Sequence, residues 1–337
     1  MKLISPDSAH EKALFEAKPS LAFDNTKDFE AQRDVLREKF LELLGDMPQK
    51  AQLNVRIEFE REHNGFSEKR IIFDAERDVQ AVCHLWVPKT GKEKYPLVVC
   101  LQGHSTGMHI SMGRPVFKDD KGKIKNGDRD FAVQAIKEGY AALILEQRGF
   151  GERRTARASG DGPRCHITAM TALLLGRTMV GERVWDVSRA LDVVSQFDNI
   201  DMNKVACMGN SGGGTTTFYA ACYDSRIKIA MPSCSICTYK DSIATIGHCV
   251  CNFIPSSAKY FDMSDLAALI APRKIIVVAG KLDGIFPESG VKEAYDNICN
   301  IYKAAGCEDN CRIVWGNEGH RFYADPSWKV FRSLTNW

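Results

Sequence analysis

The chain has 337 residues, 44% of them hydrophobic and 26% charged, enough to bury a large core and long for one domain unless strands and helices alternate. Lys and Arg number 45 against 43 Asp and Glu, and a formal net charge of +2 leaves no polyanion footprint, which argues against a nucleic-acid partner. The opening stretch MKLISPDSAHEKALFEAKP lacks the apolar core and cleavage site of a secretory signal, and no apolar run reaches the roughly 18 residues of a membrane span. The expectation is a cytoplasmic protein with neither membrane nor nucleic acid as partner; nothing in the sequence sets an oligomeric state.

Residues 28 to 44 carry Phe29, Leu36, Phe40 and Leu43 at helical spacing and run into Gly45, which predicts an amphipathic helix against the flank of the main body. The period then shifts. NVRIEFE (54–60), KRIIFD (69–74) and QAVCHLWVP (80–88) alternate, or run apolar with β-branched and aromatic residues, as an antiparallel opening does. From there short apolar runs are separated by helical stretches: PLVVCLQG (96–103), YAALILE (140–146), KVACMG (204–209), IKIAMPS (227–233), RKIIVVAG (273–280) and CRIVWG (311–316). Most of these suit burial on both faces of a parallel sheet. The clearest helix between them carries Val180, Val184, Val187, Leu191 and Val194 on one stripe, with Glu182, Arg183, Asp186, Arg189 and Asp192 mostly off it. The organisation expected is an N-terminal helical extension over 1–50 and one α/β domain over 51–337. Residues 104–130 and 234–266 fit no element and read as lid or substrate loops.

CMGNSGGGTTTFYA (207–220) places Ser211 directly after a buried strand and before a helix, in the pattern Gly209-Asn210-Ser211-Gly212-Gly213. This G-x-S-x-G spacing suits a nucleophile on a strained turn, where glycines two residues to either side let strand and helix approach. The amide of Gly212, at the helix start, is then available to a developing oxyanion. Such a turn can instead cradle a phosphate, but no Lys-Ser/Thr pair and no G-x-G-x-x-G follows a first strand here.

A serine needs a base and an orienting acid. When these follow in the order Ser, Asp or Glu, His, only His248 and His320 of the eight histidines are placed to serve. His320 follows the last strand in WGNEGHRFY, whereas His248 sits in the presumed lid; His320 is the candidate base. Asp283, in GKLDGIFP directly after a strand, is the candidate acid, while Asp262 and Asp265 suit capping of DLAALI. The second oxyanion donor is expected from QGHSTGMH, as the backbone amide of His104 or Ser105. The His104 ring reads as a loop or pocket-lining group, and Arg148 of EQRGFGER as a brace between loops.

The 12 cysteines read as free thiols. CSIC (Cys234, Cys237) has zinc-ligand spacing, but the following HCVC (His248, Cys249, Cys251) is too close for an ordinary zinc ribbon. Buried or lid-facing thiols are expected, and no metal.

Together LQGHSTG, EQRGFGER, GNSGGG, AGKLDGIFP and EGHRFY resemble the α/β-hydrolase superfamily, in particular its dienelactone hydrolase and acetyl xylan esterase-like branch, over about residues 50 to 335. The resemblance implies an eight-stranded, mostly parallel sheet flanked by helices, no cofactor, a small-molecule ester as substrate, and the roles of nucleophile, acid and base for Ser211, Asp283 and His320. One departure stands out: Gly212 follows the serine where sugar-deacetylating members of this type usually carry glutamine. A cysteine-nucleophile dienelactone hydrolase is disfavoured because the elbow holds serine. The function expected is a serine carboxylesterase for short, acetyl-type acyl groups, with Phe117, Tyr239, Phe253, Tyr260 and Phe261 of the two loops free to stack on a ring in the alcohol part. A small serine peptidase of aminopeptidase type and a noncatalytic binding protein on the same fold remain open alternatives.

Overall fold

The computed structural model describes residues 3–157, 160 and 162–337. Nine strands, β1 (Arg56–His63), β2 (Phe66–Glu76), β3 (Val79–Pro88), β4 (Tyr95–Leu101), β5 (Ala141–Leu145), β6 (Ile200–Asn210), β7 (Ile227–Ser233), β8 (Lys274–Gly280) and β9 (Cys311–Gly316), form one sheet. Their order is β1-β2-β3-β5-β4-β6-β7-β8-β9. β1, β2, β3 and β5 pair antiparallel in succession, and every pairing from β5 through β4 to β9 is parallel. The sheet thus has one strand more than the resemblance implies. That strand is β1, whose side chains are mostly exposed and mostly charged, a composition that protects an edge from further pairing. The central strands are the reverse: β4 and β5 are buried at every residue, because helices cover both faces of the parallel part.

The helices are α1 (Pro6–Phe15), α2 (Phe29–Leu43), α3 (Asp120–Gly127), α4 (Phe131–Lys137), α5 (His166–Leu174), α6 (Met179–Val194), α7 (Gly212–Tyr223), α8 (Glu288–Ala304) and α9 (Ala324–Leu334). None among the described residues is long and apolar enough to cross a membrane. α2 begins where Asp28 accepts from the amide of Ala31 and stops at Gly45, whose φ of 84° a residue with a Cβ adopts only at a cost. Its Leu36 and Phe40 enter the main core, Phe40 stacking on Tyr219 of α7 at 5.8 Å. The predicted stripe of α6 is buried in full, but so are Glu182, Arg183, Asp186 and Arg189. The loop after β5 covers part of this side of the helix, where Arg148 meets Glu76, Glu182 and Asp186, and Arg153 meets Asp186, while Arg189 pairs with Asp192. Burial without such pairing would be costly. Asp262 and Asp265 form a reciprocal capping box at the start of the 3-10 turn Met263–Leu269.

This topology concentrates the candidate residues. The chain passes from β4 outward to β5 and then returns to the other side of β4 as β6, so connections diverge at the C-terminal ends of β4 and β6. Such a switch point leaves a crevice for a ligand. Loops 102–107, 211–212, 281–286 and 317–323 all leave the C-terminal ends of parallel strands.

Candidate active site

Ser211 lies between β6 and α7 with φ 58° and ψ −127°, a conformation costing a non-glycine residue about 1–3 kcal/mol. The surrounding packing holds it there. A Cβ on Gly209 would fall 2.6 Å from the carbonyl of Gly213, and one on Gly213 would fall 2.2 Å from the Leu101 oxygen, so β4, β6 and α7 meet at a separation only glycines permit. The Ser211 amide donates to the Ser233 carbonyl at 2.8 Å, fixing the turn to the end of β7.

Beside this turn runs the loop after β4. A Cβ on Gly103 would stand 2.8 Å from Cβ of Ser211, and no hydrogen bond among the described residues uses the backbone N–H of His104 or of Ser105. The Gly212 amide opens α7 and is free for the same reason every first-turn amide is. These three backbone amides are thus left without a hydrogen-bond partner among the described residues, on the two segments flanking the serine. The His104 ring fills the space beside Gly212: a Cβ there would be 3.0 Å from its Cε1 and Nδ1. A glutamine at 212 would have to displace that imidazole, which gives the sequence departure at this position a physical reason.

Asp283 and His320 are brought together from the loops after β8 and β9. His320 Nδ1 donates to Asp283 Oδ2 at 2.8 Å, and Asp283 Oδ1 accepts from the amides of Ile285 and Phe286. The two loops are tied through Lys281 N to Gly316 O and Leu282 N to Glu318 O, and Arg129 Nη2 donates to the His320 carbonyl. Burial opposes ionisation of Asp283, but the His320 hydrogen bond and charge, with the two amides, outweigh it and hold the carboxyl below its ordinary pKa. Phe286 stacks on His320 at 5.9 Å. Ser211 Oγ makes no hydrogen bond to His320 among the described residues.

Two further residues, neither given a site role by the sequence, stand at the site. His248 reaches it from the loop after β7: its Nε2 donates to Ser242 Oγ, which donates to the Ile285 carbonyl, and its ring meets Phe286 edge-on at 5.3 Å. Burial pushes its pKa down, and the imidazoles of His104 and His320 act in the same direction. The Cys234 thiol lies beside Asp283 and His320 and donates to the Arg321 carbonyl; burial pushes it up to about 12, so it is a neutral neighbour. No local pattern in the sequence could have placed either.

The loop aromatics do not stand where the sequence suggested. Tyr239 is buried against Tyr219, Phe261 is in the main core, Tyr260 lies under Lys39, Phe117 sits beside His109, and Phe253 is 39% exposed. The rings at the site are Phe286 and Phe150, the latter edge-on to His104 at 5.1 Å. Nor is 104–130 a free lid, since Asp120 accepts from Thr106, His109 and the amides of Val116 and Phe117.

Glu146, at the end of β5, ties the loops after β4 and β5 by accepting from the amides of Met108 and Glu152. Burial pushes its pKa up to about 7 from 4.5, although the two amides oppose this. Because the folded state holds this proton more tightly than the unfolded chain, its stability contribution is complete below about pH 4.5 and is lost as pH rises through 7. Glu146→Gln mimics the protonated form. It is expected to match the wild type at pH 4 and exceed it at pH 8 by up to about 3 kcal/mol, measured by urea unfolding; a difference independent of pH would refute this.

A strained serine turn between strand and helix at a switch point, with a bonded carboxylate-imidazole pair from the loops after β8 and β9, is the arrangement of the α/β-hydrolase class. The chain belongs to the Abhydrolase family, whose model matches residues 2–311. It is similar to the Bacillus subtilis (strain 168) protein named "Putative hydrolase YtaP", with 28% identity over 307 residues, 89% of this chain and 98% of that one. Among solved structures it is similar to a "putative acetyl xylan esterase" from Bacteroides fragilis NCTC 9343 (TM-score 0.77, 17% identity, 99% and 90% of the two chains). A glucuronoyl esterase from Solibacter usitatus is also similar (TM-score 0.67, 15% identity, 94% and 96%).

Proposed function

We propose that this hydrolase is a serine carboxylesterase acting on short-acyl esters, with Ser211 as nucleophile, His320 as base and Asp283 as acid. The observation that carries the reading is the strained backbone of Ser211, set beside amides unpartnered among the described residues at the end of a sheet whose loops after β8 and β9 carry the bonded Asp283–His320 pair. Such strain persists only where surrounding structure over-determines it, as at sites of chemistry.

His320 Nε2 takes the proton of Ser211 Oγ as the oxygen attacks the ester carbonyl, while Asp283 holds Nδ1 protonated. The tetrahedral oxyanion is held by the amide of Gly212 and that of His104 or Ser105. His320 then gives its proton to the departing alcohol, and water repeats the sequence on the acyl enzyme, releasing the acid and restoring Ser211.

The small acyl group is supported by the packing around Gly212, where His104 and Phe150 occupy the space a longer chain would need. The acetyl xylan and glucuronoyl esterases among the structural neighbours support an acylated or esterified carbohydrate as the substrate class. Across p-nitrophenyl acetate, butyrate and octanoate, kcat/KM is expected to fall steeply after butyrate, because a chain without a trough forfeits about 0.8 kcal/mol per methylene. A maximum at octanoate would overturn the small acyl pocket.

A further inference from the structure

Three segments far apart in the chain converge behind the His104 wall of the site. His104 comes from the loop after β4, Cys165 from the residue before α5, and Cys249 and Cys251 from the loop after β7. One nitrogen of His104 and the three sulfurs all lie within 4.8 Å of one another, with His104 Nε2 and Cys251 Sγ at 3.2 Å. Four donors around a tetrahedral zinc, with Zn–S near 2.3 Å and Zn–N near 2.0–2.1 Å, stand about 3.5–3.8 Å apart. The donors are therefore already at the spacing of a loaded site to within about an ångström, and small side-chain rotations would set them around the ion.

A second observation points to the charge such a site would carry. Arg183 of α6 is 2% exposed and stacks on Phe150 at 4.4 Å. It donates to the Arg148 carbonyl, to Cys251 Sγ at 3.2 Å and to Cys165 Sγ at 3.3 Å. No carboxylate bonds it among the described residues. A buried guanidinium needs a negative partner, and the sulfurs face it. Three neutral thiols supply no charge, nor does a disulfide with one thiol left over. A divalent ion with three thiolates and one imidazole carries one net negative charge, which balances Arg183.

We propose that His104, Cys165, Cys249 and Cys251 bind one zinc ion in a closed Cys₃His site that clamps the loop after β7 to the loop after β4 and to the segment before α5. With four protein ligands the ion has no open position, so its role is structural. It fixes the orientation of the imidazole that fills the space beside Gly212, and the inference stands independently of the esterase reading because its readout is the metal itself.

The test uses the full chain purified under reducing conditions with zinc and then exchanged into cobalt(II). One bound ion per chain is expected, with thiolate-to-cobalt charge transfer in the near ultraviolet and the intense visible bands of a tetrahedral site. Cys165→Ser and Cys251→Ser are expected to lose both signals, while Cys237→Ser, outside the cluster, keeps them. No stoichiometric ion and no cobalt spectrum in the wild-type chain would overturn the proposal, whatever the variants' folding. So would a mass two hydrogens below that of the reduced chain, traced to a disulfide within the cluster while no metal is bound.

Discussion

Ser211→Ala is expected to lower kcat on p-nitrophenyl acetate by about 10⁵–10⁶-fold, the scale on which removal of a triad nucleophile acts. The alcohol oxygen is the only heavy atom lost, and the proposed oxyanion donors, the amides of Gly212 and of His104 or Ser105, stay in place, so residual hydrolysis should reflect oxyanion stabilisation alone. Alanine keeps a Cβ and so keeps the strain at φ 58°. The thermal midpoint should therefore remain close to that of wild type, which separates loss of chemistry from loss of fold. Labelling by a fluorophosphonate probe should vanish in the same variant. Retained turnover, or labelling that persists, would move the nucleophile elsewhere.

Asp283→Asn is expected to lower kcat by about 10⁴-fold while leaving the fold intact. The hydrogen bonds around residue 283 dictate the outcome. One carboxylate oxygen accepts from the amides of Ile285 and Phe286, and the other accepts from His320 Nδ1. In the variant the asparagine oxygen stays with the two amides, because the opposite orientation sets donors against donors. Its NH₂ then faces Nδ1, which must become an acceptor, and the proton moves to Nε2, the nitrogen that should accept from Ser211. A wild-type rate in this variant would assign the orienting role to another carboxylate. KM should change little, since Asp283 touches no substrate in this arrangement.

The sequence carried the local parts of this molecule. The nine apolar or alternating runs correspond to the nine strands, and Asp28, Gly45 and the Asp262–Asp265 box stand at the ends their chemistry suits. G-x-S-x-G between strand and helix, and Asp283 and His320 after later strands, were legible because each motif depends on neighbours a few residues away. Other features required strand order. His248 was read as a lid residue, yet it meets Phe286 at the site, because the loop after β7 folds back over the loop after β8. The zinc-like spacing of Cys234 and Cys237, discounted from the sequence, brings the two thiols to different places. Cys234 goes to Asp283 and Cys237 to the packing around Gly290, while Cys249 and Cys251 join a histidine and a cysteine from distant segments.

The sequence by itself determined which stretches become strands and helices, and which serine occupies a turn with glycine on both sides, because periodicity, capping and backbone sterics act over a few residues. Only the tertiary structure decided what meets what: the burial of the charged side of α6, the pairing of Arg183 with sulfur, and the filling of the space beside Gly212 by the His104 ring. These depend on β4 lying between β5 and β6, and that order follows from how the chain packs a core on each face of the sheet. No window of sequence contains that information, since the partners are as far apart as His104 and Cys251, separated by 147 residues, and are joined by packing alone.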